Sequence, residues 1–244
     1  MKRPVWIALL AAITFVVIVI ARMPAAWVIP THRGQASCAS IDGSLWSGSC
    51  AGLAVSGTSF GDVSWELHPL KLFVGRLAAH VTLAHGPAVG SGDLELGFGR
   101  HITARNLVAD LPLDPRLIPA VPASLSGRAH LNLEFAEVRR GIITQLKGRI
   151  EARDLEDSSG TNTPLGSYAV TFPGGSGDPI GQLRDLEGPL ALEGTLHLTP
   201  QPGFELEGLI APRSGAPPEL INNLRFLGSP DASGRRPFSL SGTF

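Results

Sequence analysis

The chain has 244 residues, a formal net charge of −1, 43% hydrophobic residues and 17% charged ones. That balance permits one large or two small folded domains, fits a disordered chain poorly, and gives no electrostatic footprint for nucleic acid, which normally needs a basic face. With 29 Gly, 20 Pro, two Met and only 6% aromatic residues, a turn-rich β protein fits better than a helical one, and no base-stacking or Met-rich recognition surface is indicated.

The N-terminus sets the compartment. Lys2 and Arg3 precede an uncharged run from Val5 to Ala21, VWIALLAAITFVVIVIA. About 17 residues at helical rise span about 25 Å, slightly short of a bilayer core. Arg22 can snorkel, and Trp27 reaches interface depth. The run is long for a signal-peptide core, and Arg22-Met23-Pro24-Ala25-Ala26 holds no good Ala-x-Ala site. Both points favour an uncleaved anchor over a cleaved signal peptide. The basic pair predicts a cytoplasmic N-terminus, with Arg22 and Arg33 weakening the asymmetry. Residues 1–30 are expected to be a cytoplasmic stub and transmembrane anchor, and residues 31–244 one domain outside the cytoplasm. In a Gram-negative bacterium that is a single-pass inner-membrane protein with a periplasmic domain, where disulfides persist.

Both cysteines lie in the next stretch, CASIDGSLWSGSC, from Cys38 to Cys50. As the only two thiols, close together in an oxidising compartment, they predict a Cys38–Cys50 disulfide. Gly43 and Gly48 flank Leu45 and Trp46. The stretch reads as a stapled first hairpin, with Trp46 turned inward as a structural anchor.

From about residue 50 a period of two dominates. AHVTLAHG groups Ala79, Val81 and Leu83 against His80 and Thr82; GDLELGFG groups Leu94, Leu96 and Phe98 against Asp93 and Glu95. HLNLEF groups Leu131, Leu133 and Phe135 against His130, Asn132 and Glu134; SYAVTF groups Tyr168, Val170 and Phe172. Such alternation predicts mostly antiparallel strands with one buried and one wet face. Turn clusters such as HGPAVGSG, DSSGTNTP and PGGSGDP separate them. Mid-strand Gly148, Gly194 and Gly208 predict bulges or sharp curvature. LPLDPRLIPAVPASLSG reads as a proline-punctuated connection. APPELINNLRFLG predicts one helix, Pro218 to Gly228, with a stripe of Leu220, Ile221, Leu224 and Leu227. Its expected role is to cover an open end of the sheet, and a docking surface is the alternative.

Catalytic patterns are weak. GTSFG places Ser59 in a nucleophile-elbow slot, but DVSWEL after it alternates as a strand, where an elbow needs a strand-to-helix turn. Seven scattered histidines form no metal-ligand spacing, and Asp154, Glu156 and Asp157 lack the form of a calcium loop. No catalytic residue, cofactor or metal is expected.

A set of segments stands in a telling order: GSLWSG after a single N-terminal apolar segment, VSWELHPLKLFVGRL with Trp65 as a second structural anchor, and LGSYAVTF. GQLRDLEGPLALEGTLHLTPQPGFELEGLIAPR and LRFLGSPDASGRRPFSLSG complete the order. Together these segments resemble the type II secretion system protein N (general secretion pathway protein N) family. The resemblance implies a non-enzymatic accessory component of the type II secretion machinery, anchored in the inner membrane. Its implied partners are the inner-membrane platform or the outer-membrane secretin. The cysteine pair stands outside the shared pattern. By analogy of fold alone, Gly-punctuated hairpins on an anchor are similar to AsmA-like envelope proteins, whose curved sheets hold lipid in an apolar groove. The alternative expectation is therefore a periplasmic lipid-binding or lipid-transfer module.

Overall fold

The computed structural model describes residues 14–15, 18–19, 22–28, 32–33, 36–97, 99–118, 121–160, 162–175, 177–200 and 203–243. The expected anchor over 5–21 and the Phe98 side chain lie almost wholly or wholly outside them. Among the described residues no helix is long and apolar enough to cross a membrane.

Among the described residues fifteen strands build one antiparallel sheet. At its start β1 (His32–Arg33), β2 (Ala36–Ser37), β3 (Ser40–Gly43) and β4 (Ser47–Val55) form the first edge. β2 and β3 share one side of β4, and β1 extends from β2. A meander follows: β5 (Thr58–Leu67), β6 (Leu77–Ala84), β7 (Val89–Gly97), β8 (His101–Pro112), β9 (Leu125–Arg139) and β10 (Ile142–Asp157). It continues through β11 (Thr163–Pro173), β12 (Ile180–Glu187), β13 (Leu190–Thr199) and β14 (Gly203–Pro212) to β15 (Arg236–Thr243). Among the described residues each strand of the meander hydrogen-bonds the next, and β15 pairs with β14 without returning to the first edge. The sheet is open.

The alternation read from sequence carries one apolar face across the whole sheet. Leu131, Ile150, Val170 and Leu183 pair in successive strands, continued by Gly194, Gly208 and Phe238. A parallel row runs through Leu133, Gly148 and Phe172. Leu133, Leu146, Phe172 and Leu198 form its buried cluster, at 2–8% exposure. The chain exposes 15393 Å², against about 10,400 Å² for a compact monomer of this mass. One layer of sheet leaves much of itself wet.

Around β12 the sheet also curls. Flat strands about 4.8 Å apart would put second neighbours about 9.6 Å apart, yet β11 and β13 approach within 8 Å across β12. The inner side is the apolar one. A Cβ on Gly181 of β12 would meet Val170 Cγ1 at 2.4 Å and Phe172 Cε1 at 2.8 Å. Gly194 and Gly208 oppose each other in regular register, and a Cβ on either would lie 2.3 Å from the neighbouring strand's carbonyl oxygen. These two glycines mark curvature, whereas Gly148 marks a bulge.

That bulge corrects the reading of HLNLEF. Leu133 pairs with Gly148 but Phe135 pairs with Lys147, the adjacent residue, so one extra β9 residue is accommodated there. Leu133 and Phe135 therefore face opposite sides, and Phe135 leaves the apolar row to lie under Arg105, whose guanidinium is 5.9 Å from the ring centroid.

The C-terminal helix runs Pro218–Leu224, shorter than the expected Pro218 to Gly228. Its end tightens into i→i+3 bonds, with Arg225 N–H donating to Asn222 O and Leu227 N–H to Leu224 O. Leu220 and Leu224 bury against Leu190 and Ile210 on the apolar face, and Leu227 packs beside them, while Ile221 stays 37% exposed. The helix covers the apolar face at one end of the last strands.

Candidate functional site: a two-faced open sheet

The cysteine stretch forms a stapled hairpin. Cys38 and Cys50 are joined by a disulfide with their Cα atoms 5.7 Å apart, and β3 pairs with β4 from Ser40–Ala51 to Gly43–Gly48. It is not the first hairpin, because β1 and β2 precede it. Gly43 has φ +90°, and a Cβ there would meet Ser47 O at 2.6 Å, so the tight turn at Ser44–Trp46 requires glycine. Trp46 is half-buried in that turn. Trp65, on β5, covers Gly48 and donates its Nε1–H to Leu45 O at 3.1 Å. Both tryptophans thus pack the same hairpin.

The opposite face of the sheet is a seam of carboxylates and cations. Glu95 accepts hydrogen bonds from Lys71 at 3.0 Å and Arg76 at 2.9 Å, and these hold its carboxyl below the usual range. Glu137 is buried beside Thr103. Arg139 Nη2 donates to its Oε1 at 2.9 Å, Thr144 Oγ1 donates to Oε2 at 3.1 Å, and His101 Nε2 lies 2.5 Å from Oε1. Burial pushes this carboxyl up, but hydrogen bonds from Arg139, His101 and Thr144 outweigh it and the net direction is down. Asp93 is lowered by its bonds to His80 and Asn106. On the inner side, burial pushes the Tyr168 phenol up to about 12 while its hydroxyl donates to Leu165 O.

His80, His130 and His197 lie on the wet face as expected, but each meets an acid there: Asp93, Asp110 and Asp178. Sequence reading missed these partners because the register that joins them is set across strands. Among the described residues no group of three or more His, Cys, Asp or Glu side chains could hold a metal ion. Ser59 is the second residue of β5 in an antiparallel hairpin, not a strand-to-helix turn. Asp154 and Glu156 fall inside β10, Asp154 at a bulge with φ +51°, and only Asp157 reaches the turn. A shallow groove of about 850 Å³ crosses the wet face near the β15 edge. Its walls are the rows Gln182–Thr195–Glu207 and Arg184–Glu193–Leu209.

Among the described residues the molecule is an open antiparallel β-sheet protein, apolar on one face and charged on the other, whose two outer edges show no further strand. The chain belongs to the family described as Type II secretion system (T2SS), protein N, whose model matches residues 34–239. It is 27% identical to the type II secretion system protein N of Aeromonas hydrophila, with 99% of each chain covered. It is 26% identical to that of Vibrio cholerae serotype O1 (strain ATCC 39315 / El Tor Inaba N16961), again over 99% of each. No solved structure gives a significant match.

Proposed function

We propose that the chain is a non-enzymatic accessory component of type II secretion, held in the inner membrane by residues 5–21, with the sheet in the periplasm. It works by contact with other secretion proteins, the inner-membrane platform or the outer-membrane secretin. The observation that carries this reading, beyond family membership, is the open sheet. Among the described residues β15 pairs on one side only and the first edge is ragged, so backbone donors and acceptors stand ready for an added strand. A photo-crosslinker at Ser239 on β15 should capture platform or secretin subunits, and deletion should reduce secretion. Capture of neither, with normal secretion on deletion, overturns the reading.

A second reading, lipid holding, is favoured by one observation. Leu77, Leu96 and Ile102 pair in adjacent strands at one end of the apolar face and are 38–44% exposed, whereas its middle is packed. The trough is therefore filled centrally and open at that end. Native mass spectrometry of the full chain released from detergent should then show a bound acyl lipid, and its absence removes this reading.

A further inference from the structure

We infer that the end of the sheet to which Met23 and Pro24 are tied is a membrane-contact surface that rests on an anionic lipid headgroup layer, so that the strands stand on the bilayer. The inference rests on the anchored reading above, and adds the orientation and the residues that set it.

The chain leaving the apolar run is tied directly to this end. Leu45 N–H donates to Met23 O at 2.9 Å, and Pro24 bridges to Ser44, in the turn between β3 and β4. Leu67 N–H donates to Trp46 O at 2.6 Å, which brings the end of β5 and the following 3₁₀ segment Pro69–Val74 alongside. In an antiparallel meander, alternate turns share an end. The next two turns on this side hold Arg100 and Arg140, joined by a 3.1 Å bond from Arg140 N–H to Arg100 O.

Two properties coincide here. The first is apolar exposure: Trp27 is 76% exposed, Leu70 78%, Phe73 89% and Val74 70%. Among the described residues beyond position 22, Phe226 at the opposite end is the other large apolar side chain as open as these. The second is charge. The turns 44–46, 68–76, 99–100 and 140–141 contain Lys71, Arg76, Arg100 and Arg140, and no carboxylate; the next turn at this end, between β11 and β12, carries Asp178, which faces His197. Glu95, in the strand behind, pairs both Lys71 and Arg76 with a single negative charge, and Arg100 and Arg140 are exposed.

Protruding aliphatic and aromatic side chains ringed by Lys and Arg match the lipid interface, where apolar groups enter the acyl boundary and cations meet headgroup phosphate. Continuity with a 17-residue apolar run commits this surface to the bilayer rather than to a protein. The open end of the apolar trough, at Leu77, Leu96 and Ile102, then faces the membrane.

The test uses the full chain in vesicles of phosphatidylcholine and phosphatidylglycerol carrying spin-labelled lipid. A fluorophore is attached at Phe73→Cys or, at the opposite end, at Gly160→Cys, where a new Cβ meets nothing within 4 Å. The expected result is flotation with the vesicles, strong lipid quenching at position 73 and none at 160. Flotation without quenching at 73 overturns this inference and leaves the anchor standing; quenching at both positions, a sheet lying flat, also overturns it. Failure to float removes the anchored reading and this one together. Shielding at 73 from a soluble quencher that needs added secretion proteins and no lipid would assign the surface to a protein. In Arg100→Asn/Arg140→Asn, Asn accommodates the φ of 60° and 53°, so folding is not challenged. The docked-to-undocked ratio should fall about 25-fold on anionic vesicles, about fivefold per cation, and stay unchanged on neutral ones. An unchanged ratio on anionic vesicles would overturn the inference.

Discussion

Glu137→Gln tests whether the charged seam holds the turns that carry Arg100 and Arg140. The wild-type carboxylate is 7% exposed and receives Arg139, Thr144 and His101. A hydrogen bond to a charged group is worth about 1.5–3 kcal/mol. The contacts do not simply add, because Arg139 and His101 are 60% and 37% exposed and recover water when released. A net loss of about 2–3 kcal/mol in local stability is expected. The pH dependence has a definite sign. The folded carboxyl titrates below its unfolded value, so its stabilisation is complete above the unfolded value of about 4.3 and is lost as pH falls through the folded one. The glutamine variant has no such titration. The gap between the two proteins should be full at pH 7 and shrink on acidification by at most about 1.4 kcal/mol per pH unit. Amide hydrogen exchange of peptides spanning β8 to β10 reads the opening free energy directly. Equal protection of both proteins at pH 7, or a gap that widens as pH falls, would refute the reasoning.

Three further outcomes follow from other parts of the sheet. Replacing Cys38 and Cys50 by serine opens a loop with a sequence separation of 12 and should cost about 3 kcal/mol, seen as faster exchange confined to β3 and β4; unchanged exchange there would deny the staple a stabilising role. Gly194→Val places a Cβ 2.3 Å from Glu207 O and should destabilise by at least about 1–3 kcal/mol through overpacking, whereas Gly160→Ala should be neutral within about 0.5 kcal/mol. Thermal melts of equal midpoint for the two variants would contradict the curvature assigned to that site. Leu224→Ala removes a buried anchor of the C-terminal helix at a cost of about 2–4 kcal/mol, and limited proteolysis should then cut between residues 213 and 235 first.

Much of the architecture was legible along the chain because its causes are local. A strand's two faces follow from a period of two, so Val81 and Leu83, or Val170 and Phe172, declare their common side without knowledge of any partner. Prolines at 217 and 218 and the leucines four apart define the C-terminal helix in the same way. The disulfide was readable for a different reason: with two thiols there is one possible pairing. What stayed hidden depends on register. The bulge that turns Phe135 from the apolar row onto Arg105 exists only relative to β10. His101 and Glu137 are 36 residues apart, and their contact arises when β8 and β9 align.

By itself, then, the sequence determined a β protein with one apolar face, its family, and the segments that enter and close the sheet. Only the tertiary structure decided that fifteen strands stay open instead of closing, that they curl toward the apolar side, and that Trp27, Phe73, Arg100 and Arg140 gather at one end. The physical reason is the same in each case. Alternation and turns cost and gain free energy within a few residues, whereas curvature, register and the shared end of a meander are set by strands far apart in sequence meeting side by side.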